Sequence, residues 1–145
     1  MSNLVLELRQ GDLMVLNGAS IRFRTKARIE LAARARFLFG KQIMPLAEAD
    51  SPARRIYFAL QTAYVGTEEE QAVGLAQTEA LIDAFKAATT SALACEILDR
   101  AFRAARDDDY YQALKLVRRI IRHEDAVLGR NVSVSTDEPE TESVG

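Results

Sequence analysis

Apolar and polar residues alternate with period two between Leu4 and Phe39, and recur with the helical period between Ile56 and Leu128. Alternation puts successive side chains on opposite faces of a strand, whereas apolar residues three and four apart line one side of a helix. Leu4, Leu6 and Leu8 against Val5, Glu7 and Arg9 predict a first strand. Gln10-Gly11-Asp12 is a turn and Leu13–Leu16 a short apolar strand. Asn17-Gly18 supplies the left-handed positions of a two-residue type I′ hairpin, from which Ala19–Arg24 returns as the next strand. Lys26–Phe39 reads as two further strands, because Ala27, Ile29, Ala33, Ala35, Phe37 and Phe39 keep one phase until Gly40 ends the run. A helix over 26–39 is the alternative, since Ile29, Ala33 and Phe37 also have helical spacing.

From Ser51 the period changes. Ser51 is a good N-cap, Pro52 suits the first helical position, and Ile56, Tyr57, Leu60, Ala63 and Tyr64 form an apolar stripe that Gly66 closes. Thr67 and Glu70 have the spacing of a capping box that opens a second helix, with Leu75, Ile82 and Phe85 on its buried side and Gly74 as a weak point. Thr89-Thr90-Ser91 leads into a third helix carrying Leu93, Ile97, Leu98, Phe102 and Ala105. Asp107-Asp108-Asp109 breaks and recaps the chain, and a fourth helix carries Tyr110, Leu114, Val117, Ile121 and Leu128 as far as Gly129. Short connections make these helices antiparallel neighbours. The predicted fold class is α+β, with a small N-terminal antiparallel β-meander or barrel-like unit followed by an antiparallel bundle of about four helices. Residues 1–45 form the basic β unit, 51–130 the helical bundle, and 131–145 an acidic tail read as disordered.

Charge sharpens the division. Met1–Pro45 holds eight Lys/Arg against three Asp/Glu, a net of +5, on a chain whose overall charge is −2. On extended chain, Arg22, Arg24, Arg28, Arg34 and Arg36 share one side while Ile21, Phe23, Ile29, Phe37 and Phe39 share the other. Like charges gathered on one face repel, and a polyanion is the partner that would offset this. Arg9, Arg22, Arg24, Lys26, Arg28, Arg34, Arg36 and Lys41 are therefore the candidate RNA-contacting residues. Lys115, Arg118, Arg119 and Arg122 form a second basic stripe, placed on the exposed side of the fourth helix and balanced by Glu124 and Asp125.

Catalytic chemistry is not visible. His123 is the only histidine and reads as exposed, and Cys95, the only cysteine, sits among apolar neighbours as a small hydrophobe that can form no internal disulfide. There is no Cys/His cluster, no phosphate-binding glycine loop and no nucleophile elbow. Asp107–Asp109 lacks the ligand spacing of a calcium loop, and helix capping accounts for it. No catalytic residue, metal or cofactor is expected. Neither a signal peptide nor an apolar run of membrane-spanning length is present, so a cytoplasmic protein without membrane contact is expected.

Gly40-Lys-Gln-Ile-Met44, Ala49-Asp-Ser-Pro-Ala-Arg-Arg-Ile-Tyr-Phe-Ala-Leu-Gln61 and Tyr64 resemble the FlbT family of flagellin-synthesis regulators. So do Leu4–Leu8, Asn17–Ile21, and Tyr111–Arg119 followed by Glu124, so the likeness spans Leu4–Leu128. The family's Thr-Pro appears here as Ser51-Pro52, which keeps the cap. This resemblance implies a post-transcriptional regulator that binds the 5′ untranslated region of flagellin messenger RNA and controls its translation or decay during flagellum assembly. It implies a flagellar partner of the FlaF type, it carries no catalytic residues, and it leaves room for a homo-oligomer. If the RNA reading fails, the alternative is a protein-interaction adaptor whose basic face takes an acidic partner. Leu4-x-Leu6-x-Leu8-Arg9-x-Gly11-Asp12 is also similar to the opening strands of the carbon storage regulator family, although that family's Arg-Glu-Glu-Ile is absent.

Overall fold

The computed structural model describes residues 4–32 and 35–129; Arg34 and the acidic tail 131–145 lie outside the described residues. Five antiparallel strands come first: β1 (Leu4–Leu8), β2 (Leu13–Leu16), β3 (Ala19–Arg22), β4 (Ala27–Leu31) and β5 (Phe37–Phe39). Two single 3₁₀ turns, Gly40–Gln42 and Leu46–Glu48, lead to α1 (Pro52–Val65), α2 (Glu68–Ala88), α3 (Ala92–Arg106) and α4 (Tyr110–Leu128). Strands β4 and β5 fall within 26–39, and the described residues of that segment hold no helix.

Pairing does not follow chain order. β1 pairs with β4, with Leu6 opposite Ile29 and Leu8 opposite Ala27, while β2 sits between β3 and β5 in a second sheet. The inner faces of the two sheets enclose Leu6, Leu8 and Met14, with Ile21, Phe23, Ile29, Phe37 and Phe39 packed around them. Turn chemistry makes this possible. Asn17 at φ 50° and Gly18 at φ 89° take the left-handed conformations that match the hairpin to the strand twist.

The hairpin tip also docks the β unit onto the helices. A Cβ on Gly18 would lie 3.2 Å from the Thr67 amide nitrogen, so the tip rests on the turn between α1 and α2. Leu38 and Met44 continue from β5 into the main core, where they meet Ile56, Tyr57 and Leu60.

α1 is the hub of the bundle. It packs along α2 on one side and α4 on the other, and α3 lies against α4. Each helix begins with the cap its sequence announces: Ser51, Thr67 with Glu70, Ser91 and Asp109 each accept a backbone N–H from the first turn. α4 ends on Gly129 at φ 73°. Three apolar expectations change. Leu93 and Leu128 are exposed, and Ala94 takes the buried position at the start of α3. Cys95 is half-buried.

Gly74 is a requirement of the fold rather than a weak point. A Cβ there would sit 2.7 Å from the backbone nitrogen of Ala63 and 3.0 Å from the carbonyl oxygen of Ala59, so α1 and α2 touch backbone to backbone. In an unconstrained helix interior, alanine in place of glycine would add up to about 1 kcal/mol. Here Gly74→Ala forces the helices apart, and a loss of about 1–3 kcal/mol is expected in urea unfolding. A gain in stability would mean that the helices do not cross at this glycine.

Candidate nucleic-acid interface

The basic residues of the β unit are positioned by its first turn. The carboxylate of Asp12 accepts the Arg9 backbone N–H at 2.8 Å and closes the β1–β2 turn, with Gly11 at φ 90°. Bonds from Gly11 N–H to Phe23 O (2.6 Å) and from Phe23 N–H to Asp12 O (2.9 Å) extend the β2–β3 ladder past Leu13. Arg22 then donates from Nη1 to the Gly11 carbonyl at 3.1 Å. In the other sheet, Leu8 opposite Ala27 sets Arg9 beside Lys26. Arg9, Arg22, Arg24 and Lys26 therefore converge at one end of the β unit, with Arg28 one step further along β4; all five are exposed. Lys41 sits in the 3₁₀ turn that follows β5, whose last residue Phe39 pairs with Met14 beside Leu13, so it lies toward the same end on the opposite edge of the three-stranded sheet.

The single basic face expected from the alternation is not what the strands build. Arg22 and Arg28 belong to different sheets, because β3 pairs with β2 and β4 with β1. The outward side of the β1–β4 ribbon is mixed: Arg28 faces Glu7, with Nε to carboxylate at 3.9 Å, and Glu30 stands opposite Val5. Exposed pairs of this kind contribute at most about 1 kcal/mol, so Arg28 remains free to exchange Glu7 for another anion.

Arg36 departs furthest from the expectation. It turns into the seam between strands and helices, donating to the Tyr64 carbonyl at 3.3 Å and to the Asp108 carboxylate at 2.9 Å. Its guanidinium lies 6.0 Å and 5.3 Å from the ring centres of Tyr64 and Tyr110, which stack on each other at 5.4 Å. The sequence reading assigned Asp108 only a capping role and missed its pairing with Arg36. Its signal is visible in retrospect as an Asp in the middle of a helix-breaking triplet, one of the few non-glycine types enriched in the left-handed conformation it adopts at φ 65°.

The second basic stripe loses Arg118, while Lys115, Arg119 and Arg122 keep surface exposure. Arg119 is exposed and Lys115 lies over the Tyr111 ring at 5.7 Å, but Arg118 is buried, donating from Nη2 to the Tyr57 hydroxyl at 3.1 Å. Glu124 and Asp125 are not solvated counter-charges. Arg54 grips Asp125 through two bonds of 2.6 Å and 2.8 Å, and Glu124 accepts from the Ser51 hydroxyl and the Ala53 amide. Tyr57 donates to the Gln42 carbonyl at 2.7 Å, and Gln61 bonds both the N–H and the C=O of Met44. Ser51, Arg54, Tyr57 and Gln61 thus spend their polar groups on holding α1 to α4 and to the segment after β5.

A family model described as flagellar protein FlbT matches residues 4–128. The chain belongs to the FlbT family. A relative in Mesorhizobium japonicum, 28% identical over 92% of this chain and 90% of its own length, is named a probable flagellum biosynthesis repressor protein FlbT. The same name goes with a Caulobacter sp. (strain K31) relative, 32% identical over 87% of this chain and 96% of its own. A second FlbT of Bradyrhizobium diazoefficiens is 27% identical over 92% of this chain and 96% of its own length. No solved structure matches. The segment 49–61 is the spine of the buried network, so what it encodes in this fold is the seating of α1. Among the described residues there is no His/Cys/Asp/Glu group able to hold a metal, and no helix long and apolar enough to cross a membrane.

Removing one partner of a buried ion pair strands the other charge, so Asp125→Ala is expected to cost about 3–5 kcal/mol in chemical denaturation. Arg28→Ala, at the exposed pair, is expected to change stability by no more than about 0.5 kcal/mol. Burial pushes the Tyr57 phenol above its ordinary 10.0 despite the opposing pull of Arg118, and burial raises Tyr64 as well. A neutral form favoured by folding contributes stability that is fully present below pH 10 and is lost as pH rises beyond it. Alkaline unfolding followed by circular dichroism should show that loss, and it should be shallower in Tyr57→Phe.

Proposed function

We propose that this FlbT-family chain is a post-transcriptional regulator of flagellin synthesis. It binds the 5′ untranslated region of flagellin messenger RNA in the cytoplasm, represses translation and promotes decay of the message during flagellum assembly. The observation that carries the reading is the convergence of Arg9, Arg22, Arg24, Lys26 and Arg28 on one end of the β unit, with Asp12 turned inward to close the turn. Guanidinium groups can pair bidentately with phosphate and stack on bases, which suits single-stranded RNA. The names of the relatives, repressors of flagellum biosynthesis, support a regulatory role. Arg36 and Arg118 take no part in phosphate binding in this reading, because other bonds already hold them.

Five cations on single-stranded RNA should make log affinity fall with log salt at a slope of roughly −3 to −4. Titration of a flagellin leader RNA by fluorescence anisotropy at several salt concentrations measures it. The double variant Arg22→Ala/Arg24→Ala should weaken binding and flatten that slope by roughly 1 to 1.5. Binding that ignores salt, or ignores this variant, would remove the β end from the proposal.

A second reading is a protein adaptor that takes a FlaF-type flagellar partner. What favours it is an apolar groove of about 350 Å³ between the start of α1 and the end of α2, lined by Pro52, Leu81, Ala84, Phe85 and Ala88 with Arg55 at its side. Copurification after nuclease treatment separates the two readings: a stable complex from a protein without RNA affinity would favour the adaptor.

A further inference from the structure

At the end of the β unit opposite the basic cluster lies a polar cleft of about 700 Å³, lined by Asn17, Arg36, Tyr64, Glu68, Gln71 and Asp108. The fold brings these together from four places: the β2–β3 hairpin, the approach to β5, the turn from α1 into α2, and the α3–α4 turn. Asn17 and Asp108, from two of the turns, are the only non-glycine residues with positive φ among the described residues. Left-handed backbone at non-glycine positions gathers at ligand clamps.

Several groups around the cleft are held and others are left over. Arg36 is fixed by the Tyr64 carbonyl and by one Asp108 oxygen, and it is backed by the stacked Tyr64 and Tyr110 rings. Its side chain keeps 33% of its surface open. The Asn17 side-chain oxygen accepts the Arg36 backbone N–H at 2.9 Å, which fixes the amide and leaves its two Nδ2 hydrogens without a partner among the described residues. Gln71 is oriented by its bond to the Gly66 carbonyl at 3.0 Å, which leaves its oxygen as an acceptor. Glu68 has no hydrogen bond or ion pair among the described residues.

We propose that this cleft binds a guanine base. A phosphate is disfavoured there, because Glu68 and Asp108 outnumber Arg36 in charge. A planar ring, by contrast, can stack on the open face of a guanidinium that is already held flat. The leftover groups then select among the bases. Guanine presents an acceptor, O6, beside two donors, N1–H and the N2 amine, and needs a donor next to a carboxylate. Asn17 Nδ2 supplies the donor and Glu68 or the second Asp108 oxygen the carboxylate. Adenine and cytosine would aim a ring-nitrogen lone pair at that carboxylate, and uracil a carbonyl oxygen. The inference rests on the RNA reading only for the source of the base. The basic end and the cleft are separated by the five residue steps from Asp12 to Asn17, about 17 Å of strand, so one single strand can lay phosphates on the first and an unstacked guanine in the second.

Free nucleotides and RNA form two arms of the test. In the first arm, GMP, IMP, AMP and UMP are titrated into the ¹⁵N-labelled full chain. GMP should shift the amide signals of Asn17, Arg36 and Gln71, IMP, which lacks the N2 amine, should bind more weakly, and Glu68→Gln should weaken GMP by about tenfold. Glu68→Gln breaks no hydrogen bond or ion pair of the fold and removes only one of three acidic charges from the first turn of α2, so its melting curve should stay close to that of the parent chain. Equal shifts with AMP and GMP, or none with GMP, would overturn the proposal. In the second arm, a uridine dodecamer is compared with the same strand carrying one central guanine, and the guanine strand should bind about tenfold tighter. Equal salt-sensitive binding of both strands would overturn the guanine cleft while leaving the RNA reading intact. GMP binding without any RNA affinity would uphold the cleft and overturn the RNA reading.

Discussion

The seating of α1 depends on a charge taken out of water. Arg54 is 3% exposed and Asp125 is fully enclosed. Desolvating two ions costs several kcal/mol each, and their attraction offsets this only with good geometry and every remaining lone pair engaged. The fork-to-fork pairing of Arg54 with Asp125 meets the first condition, and the Asp125 bond raises the Arg54 pKa, so the cation persists at every ordinary pH. Glu124 adds a second anion that caps α1 through Ser51 and Ala53. A hydrophobic pair could hold two helices as firmly but would tolerate sliding. Directional bonds at the first turn of α1 fix its rotation and its register against α4 together.

That register propagates. With α1 fixed, Tyr57 and Gln61 point at Gln42 and Met44 and tie down the segment leaving β5. Gly66 and Thr67, at the far end of α1, receive the tip of the β2–β3 hairpin. The β unit is thus held at two places, by its last strand and by its first hairpin. The attachment through Gln42 and Met44 follows β5 at the end where Lys41 lies, yet Arg9, Arg22, Arg24, Lys26 and Arg28 stay exposed there, while the other end shapes the cleft around Arg36. In the proposed RNA reading, the positive surface takes phosphates and the mixed-charge one a base.

The sequence was readable where chain geometry is decided locally. Gly11, Asn17-Gly18 and Gly40 supply positive φ at the turns they punctuate, and Ser51-Pro52, Thr67…Glu70 and Asp109 cap the helices they precede. Alternation placed Ile29, Phe37 and Phe39 correctly inside. Partner choice was not readable. Period two says that Arg22 and Arg28 point away from apolar residues, but not that β4 crosses to β1, where Glu7 and Glu30 join the same surface. Arg118 shows the matching limit for helices. α4 packs on both α1 and α3, so its buried arc is wider than one apolar stripe and takes in residues 117, 118, 120 and 121. Gly74 reads as a weak helix former until a neighbouring backbone is known to pass 2.7 Å from where its Cβ would stand.

The Arg54–Asp125 pair joins residues 71 apart in the chain. During synthesis, α1 leaves the ribosome long before its counter-ion has been translated, and Arg54 stays hydrated meanwhile. Strands and early helices can take local shape, but the bundle cannot lock until residue 125 has cleared the exit tunnel. A chain that has not yet reached residue 125 therefore lacks the carboxylate that seats α1.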